Sequence, residues 1–264
     1  FQENINCQVQ NNGIQNLQYV AKSERTDNLK FTLFKVPDSP SNVRFKWPIS
    51  NELDSKNNNH FLVSASPERY LKKEGTKVIS QPIKGTAQRF SDKILDEQSK
   101  LELSQNPKEH SENIMIVDLV RNDLSKTAIN NSVEVEELCK IYTFKQVHQM
   151  ISTVVSKVEH TISPTEIIKT TFPMGSMTGA PKISAMQIIE NLEETKRGLY
   201  SGAVGYFSPN NDFDFNVVIR SILYNSENSY LSFSVGSAIT SQSNPEKEYE
   251  ECLLKAKAMF EVLK

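Results

Sequence analysis

Residues 81–89 read Gln-Pro-Ile-Lys-Gly-Thr-Ala-Gln-Arg and place a lysine between a proline and a glycine–threonine pair. Pro82 fixes one backbone angle, and Gly85 lets the main chain approach a ligand closely. Lys84 is therefore a candidate amine nucleophile at the floor of a pocket. On these residues alone the pattern is more typical of a surface lysine in a turn, because most lysine side chains are exposed.

Strand patterns precede this lysine loop. Residues 61–66 and 76–80 carry the apolar and β-branched side chains of short strands. Residues 1–60 are rich in Asn, Ser and Lys and predict loops or an insertion, with one strand at residues 29–36. We therefore divide the chain into an N-terminal segment, 1–60, and a larger domain, 61–264.

A charged helix is predicted over residues 91–112, followed by a buried strand over residues 114–120. The helix draws its apolar face from Ile94, Leu95, Leu101 and Leu103. Within it, Pro107 opens a short helical turn. The continuous apolar run of residues 114–120 is typical of a strand buried on both faces.

The second half of the chain alternates strand and helix patterns. Strands are predicted at residues 133–142, 203–207, 215–224 and 230–235, helices at 163–171 and 245–263, and either type at 146–159. Pro181 opens a further helix, capped by Thr178 or Gly179. Its inward side chains are predicted to be Ile183, Met186, Ile189 and Leu192. This alternation indicates a mixed α/β fold.

Composition excludes several classes of protein. The 264 residues carry a net charge of -2, so no basic field favours nucleic acid. No apolar run approaches the ~20 residues of a membrane span. Three scattered cysteines fit a reducing compartment, and we expect a cytoplasmic protein. Because residue 1 is not methionine, we expect a fragment or a processed form.

Two pairs of glutamates are candidate metal ligands. Glu109 and Glu112, and likewise Glu248 and Glu251, are three residues apart on predicted helices and so share a helix face. Four converging carboxylates would suit Mg²⁺. The alternative is that each pair marks a solvated helix face.

Other residues have two interpretations each. The run 175–182 offers backbone N–H groups to an anion, or is an ordinary capped loop; its spacing is not that of a P-loop. Arg220, in a predicted strand, is a carboxylate clamp or a structural ion pair. Glu68 is a general acid if its pKa is raised. His110 and His148 show no metal or triad spacing and are interpreted as structural or surface residues.

Six runs, taken together and in this order, resemble the chorismate-binding enzyme family. They are SASPERYL (64–71), PIKGTAQR (82–89), SENIMIVDLVRNDL (111–124), FPMGSMTGAPKISAM (172–186), RGLYSGAVGY (197–206) and GSAITSQSNPEKEYEE (236–251). The resemblance covers about residues 61–264. It implies an α/β fold of two facing β-sheets with helices outside and the substrate between them.

The lysine at position 84 resembles the branch of this family that forms 4-amino-4-deoxychorismate, on the route to 4-aminobenzoate and folate. In that reaction an amine adds at C2 of chorismate and expels the C4 hydroxyl, after which ammonia enters at C4. The resemblance implies Lys84 as the nucleophile and Glu68 as the acid. The anthranilate-forming branch, and a non-catalytic subunit that binds chorismate or an amidotransferase, remain alternatives.

The resemblance also implies a cofactor, further site residues and a partner. Mg²⁺ would be held by Glu109, Glu112, Glu248 and Glu251. The carboxylates of chorismate would be held by Gly85, Thr86, Tyr200, Arg220, Gly236 and Lys255. Ammonia would come from a glutamine amidotransferase, as a subunit or a fused domain. Two residues depart from the family pattern: Gln149, where a histidine is usual, and Met174, where a glycine is usual.

Overall fold

A computed structural model describes four N-terminal strands and most of the chain from residue 60. The described residues are 5–11, 17–23, 26–32, 45–48, 60–144, 147–225, 228–241 and 243–263, with most side chains described from residue 61. The chain divides into two compact units, one of residues 68–217 and one of residues 1–67 and 218–264. The predicted boundary at residue 60 stays a prediction.

The helices and strands follow each other along both units. The strands are β1 (Ile5–Asn11), β2 (Leu17–Ser23), β3 (Thr26–Thr32), β4 (Phe45–Pro48), β5 (His60–Ser64), β6 (Arg69–Glu74), β7 (Lys77–Gln81), β8 (Ile83–Gln88), β9 (Glu134–Thr143), β10 (Val147–Lys157), β11 (Ala203–Phe207), β12 (Phe213–Val217), β13 (Ser221–Asn225) and β14 (Tyr230–Phe233). The helices are α1 (Lys93–Gln105), α2 (Pro107–Ser125), α3 (Pro164–Thr171), α4 (Lys182–Leu192) and α5 (Pro245–Leu263), with a short 3₁₀ turn at Gly175–Met177.

The unit of residues 68–217 is built on an antiparallel sheet. Its strands follow the order β11-β12-β6-β7-β10-β8, and β9 also pairs with β10. Strand β10 is buried along nearly its whole length. The segment 146–159, for which the sequence allowed a strand or a helix, contains this strand. Ile83 and Thr86 of β8 lie opposite Ile151 and Gln149 of β10. The lysine strand is thus hydrogen-bonded to the most buried strand of the sheet.

Residues 114–120 are helical, so the predicted buried strand is wrong. Asn106 caps α2 by accepting hydrogen bonds from the backbone of Lys108 and Glu109, and Pro107 occupies the first helical position. The buried apolar side chains of α2 are Ile116, Val117, Val120 and Leu124, which follow a helical repeat, whereas Ile114 is 42% exposed. The cap and this repeat outweigh the β-branched composition.

The predicted apolar faces of two other helices are also wrong. Leu103 of α1 is buried. The other three side chains of the predicted apolar face, Ile94, Leu95 and Leu101, are exposed. In α4, Ile183, Met186 and Leu192 are exposed as well. The cap residue of α4 is Pro181, without a side-chain hydrogen bond, so neither Thr178 nor Gly179 caps this helix.

The other unit contains two antiparallel sheets, β1-β2-β3 and β14-β13-β5-β4, together with α5. Its core is formed by side chains of β13, β14 and α5, namely Ile222, Tyr224, Leu231, Met259 and Leu263. Helix α5 has the bounds that the sequence predicts. The predicted strand at residues 29–36 is present up to Thr32, and the rest lies outside the described residues.

The single strand predicted at residues 215–224 is wrong, because the chain breaks it into β12 and β13. Arg220 lies between them with a φ of +50°, a left-handed conformation that ends extended structure. Strand β12 pairs with β6 in one unit, and β13 pairs with β5 in the other. Arg220 therefore lies in the break between two strands and not in the middle of one strand.

The predicted fold class is confirmed as a mixed α/β architecture with antiparallel sheets and helices. That the sheets face each other stays a prediction. None of the described helices is long and apolar enough to cross a bilayer.

Candidate active site

Glu68 carries a buried carboxyl group and lies immediately before β6. The whole residue is 6% exposed. Its carboxyl group accepts hydrogen bonds from the Ser176 hydroxyl and the Ile83 backbone N–H. Burial raises the pKa of Glu68 from 4.5 to about 7, against the smaller opposing effects of Ser176, the Lys84 charge and Ile83. A carboxyl with this pKa is half protonated near neutral pH and suits a general acid.

Lys84 lies on β8, one residue after Ile83, and its side chain is half-buried. Its charge acts on Glu68, so the structure brings the two predicted catalytic residues into electrostatic contact. A lysine whose charge acts on a buried carboxyl group brings a candidate nucleophile and a candidate acid into one region. The catalytic roles of both residues stay predictions.

Gly85 brings the first turn of α2 close to the lysine strand. Its φ is +93°, which disfavours other residues. A β-carbon added to Gly85 would lie 3.1 Å from Leu103 Cδ1 and 3.3 Å from Glu109 Oε2. Glu109, a predicted metal ligand, therefore lies against the backbone next to Lys84.

Glu112 lies one turn further along α2 and is 8% exposed. Its buried Oε1 has no hydrogen-bond partner among the described residues, and the Lys108 ammonium is 3.8 Å away. Such an oxygen suits a hard cation as a ligand. Within the described residues, no three His, Cys, Asp or Glu side chains are gathered into a metal site.

The other two predicted metal ligands belong to the unit that contains α5. Glu248 is buried and accepts a hydrogen bond from Ser237. Glu251 forms an ion pair with Lys255, whose ammonium also donates to the Gly236 carbonyl at 3.0 Å. The structure thus joins Gly236, Glu251 and Lys255, three residues that the sequence assigns to the site.

The remaining predicted substrate-binding residues are spread over both units. Thr86 is exposed on β8, and Tyr200 lies in a turn closed by its N–H donating to the Arg197 carbonyl at 3.1 Å. Arg220 belongs to the α5 unit, where its carbonyl accepts from Ala65 N at 3.2 Å. Their binding roles stay predictions.

His148 is fixed by hydrogen bonds at both ring nitrogens, as expected of a structural residue. It is fully buried on β10, with Nδ1 3.0 Å from Thr143 Oγ1 and Nε2 3.1 Å from Asp96 Oδ1. The Arg89 guanidinium, aided by the Phe90 N–H, keeps the pKa of Asp96 far below its usual range. His110 is held by a 2.7 Å hydrogen bond to the Ser104 carbonyl.

Sequence reasoning missed a polar cluster around Glu68. A cavity of about 20 Å³, enough for one water molecule, is lined among others by Glu68, Tyr70, Asp123, Thr171, Met174 and Ser176. Met174, the predicted departure, is buried in this wall. Lys182, which a phosphate-type loop would point at an anion, instead pairs with Asp123. The Lys182 ammonium thus serves Asp123, and anion binding by the backbone N–H groups of residues 175–182 stays a prediction.

Comparison with known proteins identifies the family of this chain. Residues 52–261 match the model of the family described as chorismate binding enzyme. The chain belongs to this family. The fold of this chain is similar to that of a solved structure, anthranilate synthase component I from Streptococcus pneumoniae, which matches 97% of this chain and 53% of its own, with 27% identity and a TM-score of 0.70.

Three curated relatives of this chain carry the names of two enzymes. A probable aminodeoxychorismate synthase of Oryza sativa is 41% identical over 92% of this chain and 26% of its own length. The Salmonella typhimurium aminodeoxychorismate synthase component 1 is 38% identical over 72% of this chain and 41% of its own. Anthranilate synthase component 1 of Aquifex aeolicus is 36% identical over 76% and 40%. The chain thus spans between about a quarter and two fifths of these relatives.

Proposed function

We propose that this chain is the catalytic part of an aminodeoxychorismate synthase, which converts chorismate and ammonia to 4-amino-4-deoxychorismate. The observation that carries the proposal is the buried carboxyl of Glu68, with a pKa of about 7, in electrostatic contact with Lys84. The names of the Oryza and Salmonella relatives support it. The reaction is an amination of the transaminase class.

The proposed chemistry uses the two residues in sequence. The Lys84 amine adds at C2 of chorismate, the ring double bond shifts, and the C4 hydroxyl leaves as water after taking a proton from Glu68. Ammonia then adds at C4 and gives one proton to Glu68, the double bond shifts back, and the lysine nitrogen leaves C2 with the bonding electron pair as a neutral amine. One hydroxyl is exchanged for one amino group, and both residues return to their starting forms.

Mg²⁺ is the proposed cofactor. Glu109 and Glu112, with Glu248 and Glu251, would hold it, and the buried Oε1 of Glu112 is the observation that fits a cation. When bound, the ion would neutralise a substrate carboxylate and so orient the ring. Gly85, Thr86, Tyr200, Arg220, Gly236 and Lys255 are proposed to contact the carboxylates as well.

We also propose a glutamine amidotransferase, separate or fused, as the source of ammonia, with the cytoplasm as the compartment. The Salmonella relative is named as a component, which supports a partner.

Identification of the product tests the proposed reaction. The full-length protein is incubated with chorismate, Mg²⁺ and ammonium salt, and the product is resolved by liquid chromatography and mass spectrometry. We expect 4-amino-4-deoxychorismate, which yields 4-aminobenzoate only after a lyase is added. Anthranilate as the product would support the activity named for the Aquifex relative, and no conversion at all would support a binding subunit.

A further inference from the structure

A buried ion pair connects three segments behind Glu68. Lys182, at the start of α4, pairs with Asp123 of α2, and both side chains are largely removed from solvent. The Lys182 ammonium also donates to the carbonyls of Thr171 and Pro173, at 2.9 and 2.7 Å. An ammonium has three N–H donors, so these partners occupy all of them. Lys182 therefore serves the protein itself rather than a ligand.

These contacts fix the chain just before the Gly175–Met177 turn. Asp123 also accepts from Lys126 at 2.9 Å, and Lys126 donates to the Thr170 carbonyl at 3.2 Å. Asp123 of α2 thus holds the two lysines that bind these carbonyls: Lys126 binds that of residue 170, and Lys182 binds those of residues 171 and 173. Gly175 then packs directly on α2, since a β-carbon there would lie 3.0 Å from Leu119 Cβ. The turn has little freedom to move away.

The turn presents Ser176 to Glu68. The Ser176 hydroxyl donates to the Glu68 carboxylate. The same segment is joined to β6 by a 2.7 Å hydrogen bond between Tyr70 Oη and Thr171 Oγ1. Glu68, Ser176 and Asp123 line one small cavity, so the ion pair and the carboxyl group belong to one connected polar network.

We propose that Lys182 and Asp123 are positioning residues for Glu68: their ion pair fixes residues 171–177 so that the Ser176 hydroxyl meets the Glu68 carboxyl. This rests on the proposed function, in which Glu68 is the acid. A hydroxyl donor favours the charged carboxylate and opposes the effect of burial. The pair therefore keeps the acid able to release its proton near neutral pH.

The first test measures Glu68 directly, without substrate. Protein labelled with ¹³C in the glutamate carboxyl is titrated by NMR, and the Glu68 signal is assigned with Glu68→Gln. Ser176→Ala should raise the midpoint of the Glu68 titration by about one pH unit. Ser176→Thr keeps the hydroxyl and should have the midpoint of the unaltered protein. Ser111→Ala, on the exposed side of α2, is the control and should not move it. Lys84, Arg69, Tyr70 and Asp123 are the other titratable groups around Glu68 and are unchanged in all these variants.

The second test addresses the ion pair. Asp123→Asn/Lys182→Met removes both charges together, so neither is left buried alone, and Asn still accepts from Lys126. It should raise the Glu68 midpoint as Ser176→Ala does, and adding Ser176→Ala should cause no further shift. Should this variant not fold, Lys182→Arg keeps the charge but not the geometry and should shift the midpoint in the same direction.

An unchanged midpoint in Ser176→Ala, or in a folded variant of the pair, would overturn the proposal. So would additive shifts, because they would show that the pair acts on Glu68 by another route. These readings need no turnover, so they hold even if the product test refutes the proposed reaction.

Discussion

Gly85 and Glu109 approach so closely that a methyl group on Gly85 would lie 3.3 Å from the Glu109 carboxylate oxygen. This contact joins the strand that carries Lys84 to the helix that carries two predicted metal ligands. The position of Lys84 and that of Glu109 are therefore coupled through one glycine.

Gly85→Ala should destabilise the protein and lower its activity. The new β-carbon crowds Leu103 and Glu109, and the φ of +93° strains any residue other than glycine. We expect a loss of roughly 2–4 kcal/mol in the free energy of unfolding, measured by urea denaturation. Gly75→Ala is the matched control, because Gly75 also has a positive φ of +58° but has nothing within 4 Å.

The control variant should lose only about 1 kcal/mol, the cost of the left-handed backbone. Equal losses in the two variants would show that the contact with Glu109 carries no energy.

Glu68→Gln should stabilise the protein in alkaline buffer. The pKa of Glu68 is raised in the folded state, so the folded protein binds this proton more tightly than the unfolded chain. Below pH 4.5 the Glu68 carboxyl is protonated in both states and does not destabilise the fold. As the pH rises from 4.5 to about 7, its presence lowers the free energy of unfolding by up to about 3 kcal/mol. Urea denaturation at pH 5 and pH 8 measures the difference.

We expect the stability gained by Glu68→Gln to be larger at pH 8 than at pH 5. Glu97→Gln, on the exposed surface of α1, is the control and should show no such pH dependence. A gain that is the same at both pH values would mean that Glu68 is charged at pH 5 already.

Mg²⁺ should raise the melting temperature of the protein through Glu112. A ligand that binds only the folded state, at a free concentration of ten times its Kd, raises the free energy of unfolding by about 1.4 kcal/mol. Differential scanning fluorimetry with increasing MgCl₂ should show this rise in the unaltered protein and a weaker rise in Glu112→Gln. Glu97→Gln should respond as the unaltered protein does, and an equal response of all three would place the ion elsewhere.

Much of the fold follows from local patterns in the sequence. Helix α5 was predictable from its content of Glu, Lys and Ala, and the short strands β5 and β11 from apolar and β-branched runs next to turns. Residues 114–120 were not, since seven largely apolar residues fit a buried strand or one side of a buried helix. The cap at Asn106 and the helical repeat of the buried side chains decide between them.

The site divides in a similar way. Lys84 and Glu68 were identified from their motifs, and the structure places them in electrostatic contact. Lys182 and Asp123 are 59 residues apart, and no local pattern pairs them. Ser176 was missed because a serine in a glycine-rich loop is typical of any turn.

Covalent capture of the substrate by Lys84 tests the central claim most directly. Full-length protein is mixed with chorismate and Mg²⁺ without ammonia, and its intact mass is measured. The account predicts an adduct of chorismate less one water, absent in Lys84→Ala and present in Lys77→Ala, whose lysine is exposed and paired with Glu136. No adduct, together with unchanged turnover of Lys84→Ala in ammonia, would contradict it.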